Sequence, residues 1–467
     1  MNTRKIHLFD TYSKHKKLFT PQNNDFVGIY SCGPTVYSYP HIGNLRAYVF
    51  SDTLRRTLEH NNFVVRHIMN ITDVGHLTSD ADEGMDKVEF QAKKTGKSAW
   101  EIASFFTEAF LRDLNLLNIQ SPHTLCRATD HISDQIALIQ KLEDLGFTYR
   151  TSDGIYFDTS KFPPYGRMVR LKADGLKEGA RVKPNPEKRN LTDFALWKFS
   201  PKNERRQMEW QSPWGIGFLG WHIECSAMAM KYLGETIDIH TGGIDHIPVH
   251  HTNEIAQSET ATKKQFSRYW LHCAFLLIEG QKMSKSLGNL FTLQDIVSRG
   301  YDPMTFRYLL LTAHYRSPLN FTWKSIEGAK NALNSLRIAF SEWPSGGKAD
   351  ALAVNEFMTA INDDLNTPRA IALLWDIVNS GKFSSSVKKA TLIDFDNVLG
   401  LKLSQSVTNR VDIEDVPPTV QHLLNEREEM RHQKNWSGSD RLREVIHTMG
   451  YLIEDAPEGP RLKRLHI

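Results

Sequence analysis

Residues 26–46, FVGIYSCGPTVYSYPHIGNLR, constrain the fold more than any other stretch of this chain. The apolar run 26–30 reads as a buried strand, and Gly33-Pro34 breaks it. Apolar residues then recur at Ile42, Leu45, Val49 and Phe50, which is helical spacing, and predict a helix over about 43–61. A second apolar run at 64–70, VVRHIMN, completes a strand–helix–strand unit. Such a unit is right-handed and commits the chain to a parallel sheet. Cys32 sits at the end of the first strand, and His41 and Asn44 sit in the first turn of the helix. A helix start presents unpaired N–H groups and the positive end of the macrodipole, so it accommodates a phosphate. The stretch therefore predicts half of a nucleotide site with a metal or thiol function beside it.

The 467 residues are enough for two to four domains. No apolar run approaches the ~18–20 residues of a membrane span. The opening segment MNTRKIHLFDTYSKHKK lacks the apolar core of a signal peptide. The expectation is a cytosolic (cytoplasmic) protein with no membrane partner. Four cysteines, Cys32, Cys126, Cys225 and Cys273, are too few and too scattered for a disulfide framework. Each taken alone is expected to be a small buried hydrophobe. The net charge of +3 compels no polyanion partner, so basic clusters must be judged locally.

Residues 98–117 predict an amphipathic helix with Ser98 as N-cap, and a further helix over about 131–145 ends at Gly146. Asp153-Gly154 predicts a hairpin turn. Residues 167–189 carry eight Lys/Arg against three Asp/Glu, with prolines and glycines, and read as an insertion, either a solvated loop or a contact for phosphate backbone. The α/β pattern returns near Gly215: a short strand at 237–240, a glycine loop at Thr241-Gly242-Gly243, and a helix from Val249 to about Thr260. From about residue 325 the pattern is all helical. Its last two helices are polar and carry Arg427, Arg431, Lys434, Arg441 and Arg443. A solvated face and an RNA-binding appendage are equally compatible with that run.

Three signals carry chemistry. The first is the His41/Asn44 helix start. The second is Lys282-Met283-Ser284-Lys285-Ser286 followed by Leu287-Gly288-Asn289, a cationic loop whose ammonium groups act as movable point charges on a triphosphate. The third is a dispersed set of metal-ligand types: Cys32, Cys225, His250 and Glu254. His250 and Glu254, at i and i+4, share a helix face. His251 at i+3 competes for the same role, and spacing does not choose between them. Two thiolates, an imidazole and a carboxylate form a set that zinc accepts.

CGPTVYSYPHIGNLR, GWHIECSAM, HTGGIDHIPVHHTNEIAQSE and KMSKSLGN, in this order, resemble the class I aminoacyl-tRNA synthetases, and within them the cysteinyl-tRNA synthetases. The resemblance extends through NDDLNTPRAIALLWDI and GYLIEDAPEGP. It implies an α/β fold: a Rossmann-like parallel sheet with an inserted connective-peptide domain, a KMSKS-bearing α/β subdomain, a C-terminal helical bundle and a small anticodon-binding domain. The expected boundaries are 1–120 with 216–262 for the catalytic domain and zinc site, 121–215 for the insertion, 263–324 for the stem-contact subdomain, 325–404 for the bundle and 405–467 for the anticodon-binding domain.

The resemblance also implies one Zn2+ on Cys32, Cys225, His250 and Glu254, which settles the histidine in favour of His250. The substrate's own thiolate binds that zinc. An apolar pocket discriminates poorly between cysteine and serine, whereas zinc favours a thiolate over a hydroxyl, so no editing domain is expected. Thr72, Asp245 and Trp221 match positions around the amino acid. Gly242, Gly243 and Asp245 match the adenosine loop, and His41, Asn44, Lys282 and Lys285 face the ATP phosphates. The implied partners are L-cysteine, ATP with Mg2+ and tRNA(Cys), in a monomer. The chain departs from the common pattern at residues 217–219 and 241–249, and near the C-terminus, where Pro460 and Leu462 replace a usual threonine and tryptophan. No anticodon contact is assigned. Two other functions share parts of this pattern: a ligase joining cysteine to an amino sugar, and a non-catalytic tRNA-binding relative. The basic tail argues against the first, and the retained lysines and metal ligands argue against the second.

Overall fold

A computed structural model describes residues 5–75, 86–169, 185–201, 206–284, 287–404, 410–411, 413–456 and 459–464. Five strands form the central sheet: β1 (Val27–Ser31), β2 (Val65–Ile71), β3 (Thr124–Arg127), β4 (Ile237–Gly243) and β5 (Ser267–Cys273). Every neighbouring pair is parallel, and the spatial order is β5-β4-β1-β2-β3. The sheet reverses direction of growth between β1 and β4. That point opens a crevice beyond the strands' C-terminal ends, where open α/β sheets bind ligands. All five residues of β1 are buried, as a strand covered on both faces requires.

The helices packed against this sheet are α1 (Ile42–His60), α2 (Lys87–Thr95), α3 (Ala99–Leu116), α4 (Trp221–Leu233) and α5 (His250–Thr262). Ser98 caps α3 as expected, in a reciprocal arrangement with Glu101. The Asp153-Gly154 hairpin is also present, joining strands Thr148–Arg150 and Gly154–Phe157.

The insertion is a four-stranded antiparallel sheet, in which Phe194–Phe199 and Gly217–Leu219 join that hairpin. Its limits differ from 121–215. Thr124–Arg127 is hydrogen-bonded into the central sheet, and Gly217–Leu219 belongs to the insertion. Both strands are short, so backbone pairing places them where periodicity gave no signal. Most of the basic stretch 167–189 lies outside the described residues.

Beyond β5, strands Leu276–Ile278, Gln281–Lys282 and Leu319–Phe321 form a small mixed sheet next to the lysine-rich loop. Helices Trp323–Glu342, Ala351–Asn362, Thr367–Asn379 and Ser385–Leu399 follow as a bundle. The C-terminal segment is not all helical. Helices Pro418–His432 and Trp436–Thr448 pack on a three-stranded antiparallel sheet made by Arg410–Val411, Tyr451–Ala456 and Gly459–Arg464. This unit has its own core of Val416, Val420, Leu424, Ile446, Tyr451, Ile453 and Leu462.

Two buried arginines tie α1 to the distal parts. Arg46 donates to the carbonyls of Ala274, Phe275, His314 and Ser317. Arg307, fully buried, pairs with Asp52 at 2.5 Å and donates to the carbonyls of Leu117 and Leu399. Asp52 also accepts from Arg56 at 2.8 Å.

Candidate active site and metal centre

The site lies at the C-terminal ends of β1 and β4. Cys32 follows β1 directly, and its N–H donates to the carbonyl of Thr241 on β4 at 3.3 Å. Cys225 comes from α4, and His250 and Glu254 come from the first turns of α5. One donor atom from each of the four lies within 4.8 Å of the others, and all four residues are buried. Glu254 Oε1 is 3.0 Å from His250 Nε2 and 4.0 Å from Cys32 Sγ. Glu254 Oε2 is held by His240 Nε2 at 2.9 Å, and His250 Nδ1 meets His222 Nδ1 at 3.0 Å. Partners behind a ligand fix its orientation in this way in metal sites.

The competition between His250 and His251 persists in three dimensions. Cys32, His240, His251 and Glu254 form a second buried set that shares two members with the first. His251 Nε2 is 3.3 Å from Cys32 Sγ, and its Nδ1 contacts His272 Nε2 at 2.7 Å. His272 Nδ1 in turn meets Thr11 Oγ1 at 2.8 Å.

The charges in this cluster are strongly biased. Burial pushes the Cys32 thiol up to about 11, and Cys225 well above the ordinary range. Burial would raise Glu254 too, but His240 and His250 outweigh it and hold the carboxyl at about 2. His250 is raised: burial opposes its charge, and Glu254 and Cys225 overcome that. His251 is driven down by burial and by the surrounding imidazoles. Two thiols and a carboxylate converging in a desolvated pocket have the donor chemistry of a zinc ligand set, and a divalent cation there would favour the thiolates.

His41 is the N-cap of α1. Its Nδ1 accepts from the N–H of Asn44 at 3.2 Å, and Asn44 Oδ1 accepts from the N–H of His41 at 3.2 Å. An Nδ1 that accepts leaves the proton of the neutral ring on Nε2. Burial lowers the His41 pKa, which favours that neutral form. The lysine-rich loop touches this helix start directly. The N–H of Ile42 donates to the carbonyl of Phe291 at 2.8 Å. A Cβ on Gly43 would sit 2.1 Å from Met283 Cε. Lys282 is exposed, with its ammonium 4.6 Å from the Phe275 ring centroid. Lys285 and Ser286 lie outside the described residues.

The remaining expected residues fall around the cluster. The Trp221 ring covers His250 at a centroid distance of 4.7 Å. Thr72 is buried, and its hydroxyl donates to Glu224 Oε1 at 2.8 Å and accepts from Asn70 Nδ2 at 3.1 Å. Its backbone pairs with Pro34 and Val36 and so fixes the loop between Cys32 and His41. Asp245 is exposed on the turn Ile244–His246.

Gly242 and Gly243 end β4 rather than form a loop. A Cβ on Gly242 would lie 2.6 Å from His246 Nδ1 and 2.7 Å from His251 Cε1, so histidine rings occupy the space its missing side chain leaves. Sequence reasoning did not single out His222, His240, His272, Asn70 or Glu224. All but His272 lie within a motif already quoted or a predicted strand, and that adjacency was the available signal; His272 lies in a stretch where no element was predicted.

A parallel sheet of this order, with a helix capped by His41 and Asn44 after β1 and a lysine loop against it, defines the catalytic domain of a class I tRNA synthetase. The family model described as "tRNA synthetases class I (C) catalytic domain" matches residues 18–331, and a DALR domain matches residues 356–403. A cysteine–tRNA ligase 1 of Burkholderia lata is 54% identical over 456 residues, covering 97% of this chain and 96% of that protein. The cysteine–tRNA ligase of Treponema denticola is 42% identical over 98% of this chain and 100% of that protein, and that of Thermus thermophilus is 40% identical over 97% and 98%. The chain belongs to the cysteine–tRNA ligase family.

The fold is shared more widely. A Mycobacterium tuberculosis methionyl-tRNA synthetase bound to methionyl-adenylate aligns with TM-score 0.54 at 16% identity, covering 82% of this chain and 91% of that one. A LeuRS–tRNA–LeuAMS complex from Agrobacterium radiobacter aligns with TM-score 0.59 at 12% identity, covering 84% and 85%. No described helix is long and apolar enough to cross a membrane.

Proposed function

We propose that this chain activates L-cysteine with ATP and transfers it to the 3′ terminal adenosine of tRNA(Cys). The observation that carries this reading is the convergence of Cys32, Cys225, His250 and Glu254 beside the His41-capped start of α1. Those four residues would hold a zinc ion. A bound zinc supplies a soft Lewis acid that favours a substrate thiolate over a hydroxyl. Trp221 covers His250 and closes the pocket on one side, and Asp245 at the rim takes the substrate ammonium. Thr72 acts by fixing the loop that spans from the sulfur end of the site to the phosphate end.

The ATP phosphates lie at the start of α1. There the Nε2–H of His41 and the amide of Asn44 donate to them, and Lys282 and Lys285 offset the charge that builds on pyrophosphate. Magnesium enters with ATP. The cysteine carboxylate attacks the α-phosphorus in line, forming cysteinyl-adenylate and releasing pyrophosphate. The ribose 2′-hydroxyl of the tRNA end then attacks the acyl carbon and releases AMP. Positioning and electrostatics carry both steps. The chain's units then follow the order catalytic domain, insertion, stem-contact subdomain, bundle and anticodon-binding domain.

Cysteine-dependent ATP–pyrophosphate exchange tests this, followed by charging of tRNA(Cys). The expected result is exchange with cysteine and little with serine. Equal exchange with both, or none with cysteine, would overturn the assignment.

A further inference from the structure

The rim of this site carries an aromatic and basic surface to which the proposed reaction gives no task. Tyr39 stands two residues before His41, on the loop between the thiol ligand and the phosphate-facing helix, and is 50% exposed. Its ring rests edge-on against Phe106 at 5.2 Å and Phe105 at 6.0 Å. Phe105, on α3, is 39% exposed, and the Lys97 ammonium lies 5.1 Å from its ring centroid. The Lys87 ammonium, at the start of α2, lies 5.6 Å from the ring of Tyr37 and 6.0 Å from that of Trp221, the tryptophan that covers His250.

The acids closest to these lysines in sequence are engaged. Asp86 caps α2 and pairs with Arg206. Glu89 accepts from the N–H of Gln207 at 2.8 Å, and Glu101 accepts from the N–H of Ser98 at 2.8 Å. Among the described residues no direct ion pair is formed by Lys87, Lys94 or Lys97. The face presented to solvent thus combines these rings and lysines with two exposed acids, Glu101 and Glu108, one turn to either side of Phe105.

Partly exposed, edge-propped rings with lysines beside them are the features that bind unpaired nucleotides: bases stack on the rings while ammonium groups track the phosphates. The surface includes Tyr39 on the loop 33–40, which runs from Cys32 to the His41 start of α1. We infer that Tyr39 and Phe105, with Lys97 and Lys87, form a stacking platform for the unpaired 3′ end of the RNA substrate. The inference rests on the function proposed above. It assigns to α2 and α3 the task of presenting the acceptor end, in addition to covering the sheet.

The test compares Phe105→Ala, Phe105→Tyr and Lys97→Ala with the unmodified protein. Each is measured for charging and for binding of a tRNA(Cys) transcript, intact or trimmed of its unpaired 3′ nucleotides. Losing one base–aromatic stack predicts a rise of roughly 5- to 150-fold in KM for tRNA with Phe105→Ala. Phe105→Tyr should restore charging, and Lys97→Ala should reduce the salt dependence of binding to intact tRNA. Trimmed tRNA should bind the unmodified protein and the Ala variant alike. Unchanged charging by Phe105→Ala would overturn the platform. So would an equal loss of affinity for trimmed tRNA, which would indicate a fold defect or a different occupant. Cysteine-dependent exchange uses no RNA, so its absence from the unmodified protein would count against the proposed function and not against the platform.

Discussion

His250 and His251 stand side by side at the start of α5, and each belongs to a buried set of metal donors that includes Cys32 and Glu254. The first set adds Cys225 and the second adds His240. Metal content separates them: His250→Ala and Cys225→Ala should each lose the bound zinc, and His251→Ala should retain it, as read by metal-to-protein stoichiometry. The reverse pattern would move the site to the second set. The sequence left this choice open for a physical reason. Residues i+3 and i+4 of a helix both reach the same neighbour, and only the positions of Cys32 and Cys225 distinguish them. Arg427, Arg431 and Arg443 give the opposite lesson. In sequence they form part of a basic face, whereas in the fold all three converge on Asp455, at 2.9, 3.1 and 2.7 Å. Hydrogen bonds from Arg427 are the main cause holding the Asp455 carboxyl below its ordinary range; burial opposes them, and the charges of Arg427, Arg431 and Arg443 add to the lowering. A depressed folded-state pKa contributes stability above the unfolded value of about 4, and that stability is lost as pH falls through the folded pKa. Asp455→Asn should therefore lower the unfolding midpoint at pH 7 and flatten its dependence on pH below 4. A variant that melts with the unmodified pH profile would show that the cluster contributes nothing.

The start of α1 and the lysine loop behave as one element. Gly43 leaves room for Met283, and Phe291 accepts the first free N–H of the helix. Gly43→Ala should displace the loop and lower the exchange rate with little change in metal content, and the added substitution Met283→Ala should recover part of the loss. Exchange kinetics of the single and double variants check this, and equal rates for both would mean the contact is incidental. Elements such as α1, β2, α3 and the Asp153-Gly154 hairpin were legible because each has its own period, cap or turn residue. The strands Thr124–Arg127, Gly217–Leu219 and Gly459–Arg464 were not. They are short, and backbone pairing with distant segments defines them, which no local pattern encodes. The end of β4 was misread for a related cause: glycines usually mark a loop, but Gly242 is in the strand because two histidine rings pack where a side chain would stand.

At the scale of the whole molecule, Arg307 joins α1, the end of α3 and the bundle through Asp52 and the Leu117 and Leu399 carbonyls. Burial opposes the charge of Asp52, and Arg307 and Arg56 outweigh it to hold its carboxyl below the ordinary range. Breaking such a buried network by removing one partner costs about 3–5 kcal/mol. Arg307→Met should lower the thermal midpoint and blunt charging more than exchange, because it loosens the bundle against the catalytic domain. Unfolding scans with both assays check this, and an unchanged midpoint would contradict the role. Under the proposed function, the buried Cys/Cys/His/Glu centre recognises the substrate by its sulfur. Cobalt substitution tests it most directly, because thiolate ligands give Co(II) intense near-ultraviolet absorption. Thiolate-to-cobalt bands are expected in the loaded protein, strengthening when cysteine is added and unchanged with serine. Bands that are absent, or that respond equally to the two amino acids, would contradict it.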